Sequence, residues 1–84
     1  MDKRRLLEDH LAQAERHVLQ GENLIRRQRH VAQQLEWGGH TEPAAEAEKL
    51  LQEFEELQQL HVAGRDRLRA ELEALTGNYT TAVS

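Results

Sequence analysis

The sequence predicts an all-α protein, a long antiparallel two-helix hairpin of the coiled-coil type. Three observations lead to this fold class. Apolar residues recur at alternating steps of three and four over two long stretches, a glycine-rich segment separates the stretches, and the composition is 31% charged but only 4% aromatic. Such a composition is typical of long helices, and this spacing places apolar side chains along one face of each helix.

The first predicted helix covers residues 2–37. Its apolar row follows heptad spacing and comprises Leu7, Leu11, Ala14, Val18, Gly21, Ile25, Gln28, Ala32 and Leu35. A glycine inside a helix costs about 1 kcal/mol relative to alanine, so we expect Gly21 to allow a close approach of the second helix. Gln28 is the polar member of the row, and we expect it to specify the register, as buried amides do in coiled coils.

The turn is predicted at residues 38–41. Gly38 or Gly39 can adopt the left-handed conformation that ends a helix. Thr41 can cap the next helix, and Pro43 suits a first helical turn. The chain is therefore expected to reverse its direction here.

The second predicted helix covers residues 42–75. Its row comprises Ala47, Leu50, Phe54, Leu57, His61, Gly64, Leu68, Leu72 and Leu75. Antiparallel pairing of the two rows places Gly21 opposite His61, with Gly64 in the next turn, although a register shifted by one heptad stays open. We expect His61 to pack in a gap and to form a hydrogen bond with a side chain such as Glu22.

The helical hairpin is thus expected to occupy residues 1–75. Thr76 and Gly77 favour an end of the second helix, and the residues after them lack periodicity. We therefore expect residues 76–84 to form a disordered tail.

A second apolar surface lies outside the two rows. It contains Leu24, Val31 and Leu51, and His10 and His17 continue the same line toward the N-terminus. Because ordering costs roughly 1.5 kcal/mol per residue and a lone hairpin buries only one stripe per helix, we expect this surface to bind a second copy of the chain in a four-helix-bundle homodimer. A marginal monomer with scattered surface leucines is the alternative.

Residues that commonly carry chemistry are not arranged for catalysis. The chain has five histidines and no cysteine, and His10 and His17 lie two helical turns apart, too far to chelate one ion by themselves. No metal, cofactor or catalytic residue is predicted, and the chain is not expected to be an enzyme. Arg26, Arg27 and Arg29 point in different directions on a helix, aromatic residues are missing nearby, and the net charge is −4, which favours a solvated salt-bridging surface over nucleic-acid binding.

The N-terminal basic residues are followed by carboxylates and not by the apolar stretch of a signal peptide. Charges also interrupt every apolar cluster before it reaches the roughly 20 residues that span a bilayer. We therefore expect a cytoplasmic protein that does not associate with a membrane.

Several segments share a pattern with known sequences. The segments are His17 to Arg29, the turn Gly39-His40-Thr41, Ala47 to Glu55, and His61 to Leu72. They match H-x-x-x-G-E-x-x-I-x-R-Q-R, a Gly-His turn, A-E-x-L-L-x-x-F-E and R-D-R-L-x-x-E-L, and this combination resembles a group of short uncharacterised bacterial proteins. The resemblance implies a helical-hairpin module that stands alone or beside signalling segments, with no activity to transfer. The chain departs from the pattern at Thr41, where an aspartate commonly follows the histidine.

Three functional classes follow from these observations. The leading hypothesis is a non-enzymatic self-association or protein-interaction module, because a second apolar face is present and a catalytic set is absent from the sequence. The alternative is a small regulatory or ligand-binding helical bundle that uses His10, His17 and His61. Nucleic-acid binding through the arginine clusters is a third and weaker hypothesis.

Overall fold

The computed structural model consists of two long helices that pack side by side in opposite directions. Helix α1 spans Lys3–Trp37 and helix α2 spans Thr41–Val83. The structure describes the backbone of residues 2–83 and the side chains of residues 2–77. Within these limits no strand is present, and the predicted all-α helical hairpin is confirmed. The molecule is elongated, with principal extents of 65 × 20 × 13 Å.

Helix α1 begins directly after Asp2. The carboxylate of Asp2 accepts a hydrogen bond from the backbone N–H of Arg4 at 3.1 Å. An aspartate at this position satisfies a free N–H group of the first turn and interacts favourably with the positive end of the helix dipole. The helix then continues to Trp37, so the predicted span differs from the observed one only at its first residue.

The connection Gly38–His40 reverses the chain. Gly39 has a φ of 76°, a left-handed conformation that glycine adopts without steric cost. Its N–H donates to the carbonyl of Glu36 at 3.1 Å, and the N–H of His40 donates to the carbonyl of Leu35 at 2.9 Å. This pair of bonds is the Schellman motif, which satisfies the last carbonyls of α1.

Helix α2 begins one residue earlier than predicted. Thr41 is its first residue and not its cap, because the carbonyl of His40 already accepts a helical hydrogen bond from the N–H of Ala44 at 2.8 Å. Pro43 lies in the first turn, where its missing N–H removes no helical hydrogen bond.

The end of α2 also differs from the expectation. The helix does not stop after Leu75 but continues through Thr76 and Gly77, and it is assigned as far as Val83. The hydroxyl of Thr76 donates to a backbone carbonyl one turn earlier, at 3.1 Å, which is compatible with a helical backbone. Most of the predicted tail at 76–84 lies beyond the residues whose side chains are described.

Nine residues of α1 face α2. They are the row that heptad spacing selects between Leu7 and Leu35, and they are the positions of α1 that are buried or half-buried. The most deeply buried are Leu7, Val18 and Ala32. Helix α1 therefore contacts its neighbour along one stripe, as its periodicity predicts. We call the contacting residues of both helices the seam.

The seam of α2 differs from the predicted row at two positions. Leu50 and Leu57 are 40% and 49% exposed, whereas Leu51 is only 4% exposed and Gln58 is half-buried. Helix α2 offers two adjacent leucine rows, and the seam takes the row that contains Gln58, whose amide finds a hydrogen bond across the interface. The assignment of Leu51 to the surface that binds a partner is therefore wrong, because this side chain is buried between the two helices.

The contacts of Gly21 differ in part from the predicted pairing. Gly21 lies against the side chain of Gln58, and a β-carbon at Gly21 would overlap the Gln58 amide. His61 follows Gln58 by about one turn and lines the same groove as Gly21. A β-carbon at Gly64 would have no neighbour within 4 Å, so the expected close packing is absent there.

Candidate interaction face

The seam leaves two long sides of the hairpin with different side chains. In an antiparallel helix pair, the residues of both helices that directly follow a seam residue in the sequence lie on one long side of the hairpin. The residues that directly precede a seam residue lie on the other long side. The first of these sides carries the ion pairs Arg29–Glu55 at 3.7 Å and Arg69–Glu15 at 3.1 Å, and each of the four residues directly follows a seam residue. We call it the charged side.

The opposite side is apolar. Of the eight large hydrophobic side chains that are exposed among the described residues, six lie here. We call this set the apolar face; it comprises Leu6, Leu24, Val31, Leu50, Leu57 and Leu60. These side chains are between 40% and 69% exposed. The exposed apolar surface of the hairpin is therefore concentrated on one side, which is the pattern of a binding surface and not of scattered surface leucines.

A groove of about 150 Å³ lies in the middle of the apolar face. Helix α1 contributes His17, Gly21 and Leu24 to its lining, and α2 contributes Phe54 and Leu57. Because Gly21 has no side chain, the groove reaches the backbone of α1. Phe54 is half-buried, so one part of this side chain belongs to the seam and the other part lines the groove.

Two glutamines link the helices across the seam. Gln28 Nε2 donates to the backbone carbonyl of Ala47 at 2.9 Å, and Gln58 Nε2 donates to the carbonyl of Val18 at 2.8 Å. Each helix thus supplies one amide to the backbone of the other. A shift in register would leave both buried amides without these acceptors, which is costly. The other amide atom of Gln58, Oε1, is buried and has no hydrogen-bond partner among the described residues.

His17 and His61 lie together at one end of the groove. The centroids of their rings are 5.8 Å apart, and the ring planes are tilted by 40°. His61 Nδ1 is buried and lacks a hydrogen-bond partner within the described part of the chain, so the expected bond to a side chain such as Glu22 is not formed. His10 is exposed and lies two turns away from His17 along α1.

Four of the nine arginines pair with carboxylates among the described residues. Besides the two ion pairs between the helices, Arg65 contacts Asp66 at 3.0 Å and Arg4 approaches Glu8 at 4.0 Å. Arg26 donates to the side chain of Asn23 at 3.1 Å. These contacts occupy arginines that a phosphate backbone would otherwise need, and they agree with a salt-bridging surface.

The described range lacks two further kinds of site. No group of three or more histidine, cysteine, aspartate or glutamate residues is placed there to hold a metal ion. Neither helix, over the same range, is long and apolar enough to cross a membrane.

No protein-family model, curated protein or solved structure matches this chain. The resemblance to short bacterial hairpin proteins stays a prediction.

Sequence reasoning placed Leu24, Val31, His10 and His17 on a common line of α1, and the structure leaves all of them exposed. It placed Leu50 and Leu57 in the seam and so missed their part in the apolar face, and it missed the contact between the histidines of opposite helices. A signal for the first was present, because Leu50 and Leu57 repeat at seven residues, as Leu24 and Val31 do. The second depends on the register, which heptad spacing alone does not determine.

Proposed function

We propose that this chain is a non-enzymatic self-association module, in which two copies pack through their apolar faces to form a four-helix bundle. The observation that carries the proposal is the concentration of exposed leucine and valine on one side of the hairpin. Four-helix bundles form a common core from such faces. Covering these side chains removes apolar surface from water, which is the main favourable term in association.

The hairpin by itself has a small core. Its buried hydrophobic residues are only five, namely Leu7, Val18, Ala32, Ala47 and Leu51, and no described side chain is fully buried. Ordering a chain costs roughly 1.5 kcal/mol per residue, whereas burial of one leucine or valine contributes about 1.5–3 kcal/mol. A second hairpin packed on the first buries additional apolar side chains, which one hairpin alone leaves exposed.

The dimensions of the hairpin favour a partner of the same shape. Its thickness of 13 Å corresponds to one layer of helices, which are about 10–12 Å in diameter. Its broad side measures 65 × 20 Å, enough for the roughly 800 Å² per partner of a standard protein interface. A second hairpin therefore covers the apolar face along its whole length, through a twofold interface that uses the same residues on both copies.

The charges along the rims of the apolar face are self-complementary. Arg27 and Glu53 each lie two residues after a seam residue, and this position is on the outer rim of the apolar face. The two residues are at nearly the same distance from the loop. When two copies stack with their loops at the same end, α1 of one lies over α2 of the other. Arg27 of each copy then faces Glu53 of its partner, which adds specificity to the apolar contact.

Sedimentation equilibrium tests the proposal with a matched pair of variants. Leu57 and Leu19 are similarly exposed, at 49% and 58%, but only Leu57 belongs to the apolar face. We expect the wild-type chain and Leu19→Glu to sediment as dimers, and Leu57→Glu to sediment as a monomer. A wild-type chain that is monomeric at about 100 μM and still melts cooperatively would contradict self-association, because mass action populates a functional dimer at such concentrations. The apolar face would then serve a different protein partner.

A further inference from the structure

The contact between His17 and His61 brings together two imidazoles from different helices, although the two residues are far apart in the sequence. Tetrahedral zinc binds imidazole nitrogen at about 2.0–2.1 Å, a geometry that places the centroids of two ligating rings roughly 5–6 Å apart. The observed centroid separation of 5.8 Å falls in this range. Two imidazoles at this separation are close enough to bind one ion when each ring turns a nitrogen toward it.

The surroundings of the pair leave room for an ion. His17 is exposed, and both rings line the 150 Å³ groove of the apolar face. In His61 the buried, unpaired atom is Nδ1, which leaves Nε2 as the nitrogen that solvent reaches. Gln58 also lines this groove.

We propose that His17 and His61 form a two-histidine binding site for a divalent transition-metal ion, with Zn²⁺ as the representative species, and that the bound ion links α1 to α2. Water completes the coordination. Imidazole nitrogen suits zinc, copper and nickel, whereas magnesium and calcium require several oxygen ligands that the groove does not supply. Both ligands belong to one chain, so the site needs no second copy; because the groove lies in the apolar face, the partner of the proposed dimer would cover the bound ion.

Thermal unfolding and NMR titration of the full chain with ZnCl₂ test this site. An ion that binds only the folded hairpin raises Tm, by about 10 °C or more at concentrations 100-fold above Kd for a chain of this size. The imidazole resonances of His17 and His61 should shift together, while those of the other histidines should not. MgCl₂ at the same concentration should change neither observable.

His17→Gln is the decisive variant, because His17 is exposed and its replacement leaves the seam intact. We expect it to weaken zinc binding by more than about 10-fold, since loss of even an outer-shell partner of a metal site has an effect of 10–100-fold. His61→Gln should have the same effect. His30→Gln is the matched control, because His30 is an exposed histidine that lies outside the groove and contacts Gln34; it should bind zinc as the wild type does.

Two results would overturn the proposal. One is a wild-type chain whose Tm and imidazole resonances do not respond to millimolar zinc. The other is equal zinc binding by the wild type and His17→Gln, which would place the ion elsewhere. Sedimentation of the zinc-free chain reports separately on the dimer, so failure of one proposal is distinguishable from failure of the other.

Discussion

The two long sides of the hairpin occupy equivalent positions beside the seam but carry different side chains. On the charged side, Glu15 and Arg69 form an ion pair between the helices, and both side chains remain about half exposed. On the apolar face, Leu24 and Leu57 are also about half exposed. An exposed ion pair stabilises the fold by about 0.2–1 kcal/mol while it remains in contact with water. An exposed leucine contributes about 1.5–3 kcal/mol only when its side chain is buried by a partner. The charged side is thus complete within one hairpin, and the apolar face is not.

The largest loss of dimer is expected when charged side chains are introduced into the apolar face. Replacement of Leu24 and Val31 by glutamate removes apolar area and places like charges near each other in a twofold dimer. We expect the double variant to dissociate and to lose much of its helicity, because obligate dimers often lack a stable folded monomer. Analytical ultracentrifugation and circular dichroism measure the two losses.

The control for this variant is the double replacement Glu15→Gln and Glu55→Gln, which removes both ion pairs between the helices and leaves the apolar face unchanged. It should remain dimeric and helical. If both double variants dissociate to the same extent, the two sides do not differ in the way proposed.

The next effect concerns Gly21, where the groove of the apolar face reaches the seam. Gly21→Leu would force a large side chain into the space that the Gln58 amide occupies. Overpacking of this kind typically costs about 1–3 kcal/mol, so we expect the free energy of unfolding to fall by that amount in urea denaturation. An unchanged denaturation midpoint would show that Gly21 does not lie against α2.

Gly21→Ala should change the free energy of unfolding less than Gly21→Leu does. It tests whether Gly21 is needed for packing against Gln58 or only weakens the helix. Gly21→Ala gains about 0.5–1 kcal/mol of helix stability, but it displaces the Gln58 amide from Val18, and a hydrogen bond contributes about 0.5–1.5 kcal/mol. We expect a net change near zero in the wild type and a clear stabilisation in a Gln58→Ala background. This double-mutant cycle measures the coupling between the two residues, and strictly additive effects would exclude it.

The smallest effect should come from the charged side itself. We expect Glu15→Gln to lower the free energy of unfolding by less than about 1 kcal/mol, because the pair with Arg69 is exposed. The difference from the wild type should disappear in 1 M NaCl, where the Debye length is about 3 Å. A difference that persists at high salt would mean that the pair is stabilised by packing instead of charge.

The sequence was sufficient for the fold and for the seam of α1, because a single apolar row at heptad spacing leaves one choice of face. It was insufficient for α2, where Leu50 and Leu51 belong to adjacent rows and either row can be buried. The choice depends on Gln58, a polar residue that periodicity excludes from a core but whose amide is satisfied by a carbonyl of the other helix. Heptad spacing also left the register open, so the contact between His17 and His61 was not predicted.

The short connection Gly38–His40 also sets the order in which the hairpin forms. Contacts next to the loop join residues close in the sequence, whereas those at the open end, such as Leu7 near Leu75, join residues far apart. Loop-closure entropy rises with that separation, so the helices should zip from the turn toward the termini and unzip in the opposite direction. Amide protons near Leu35 should then exchange with solvent more slowly than those near Leu7, even though Leu7 is among the most buried residues of the folded chain.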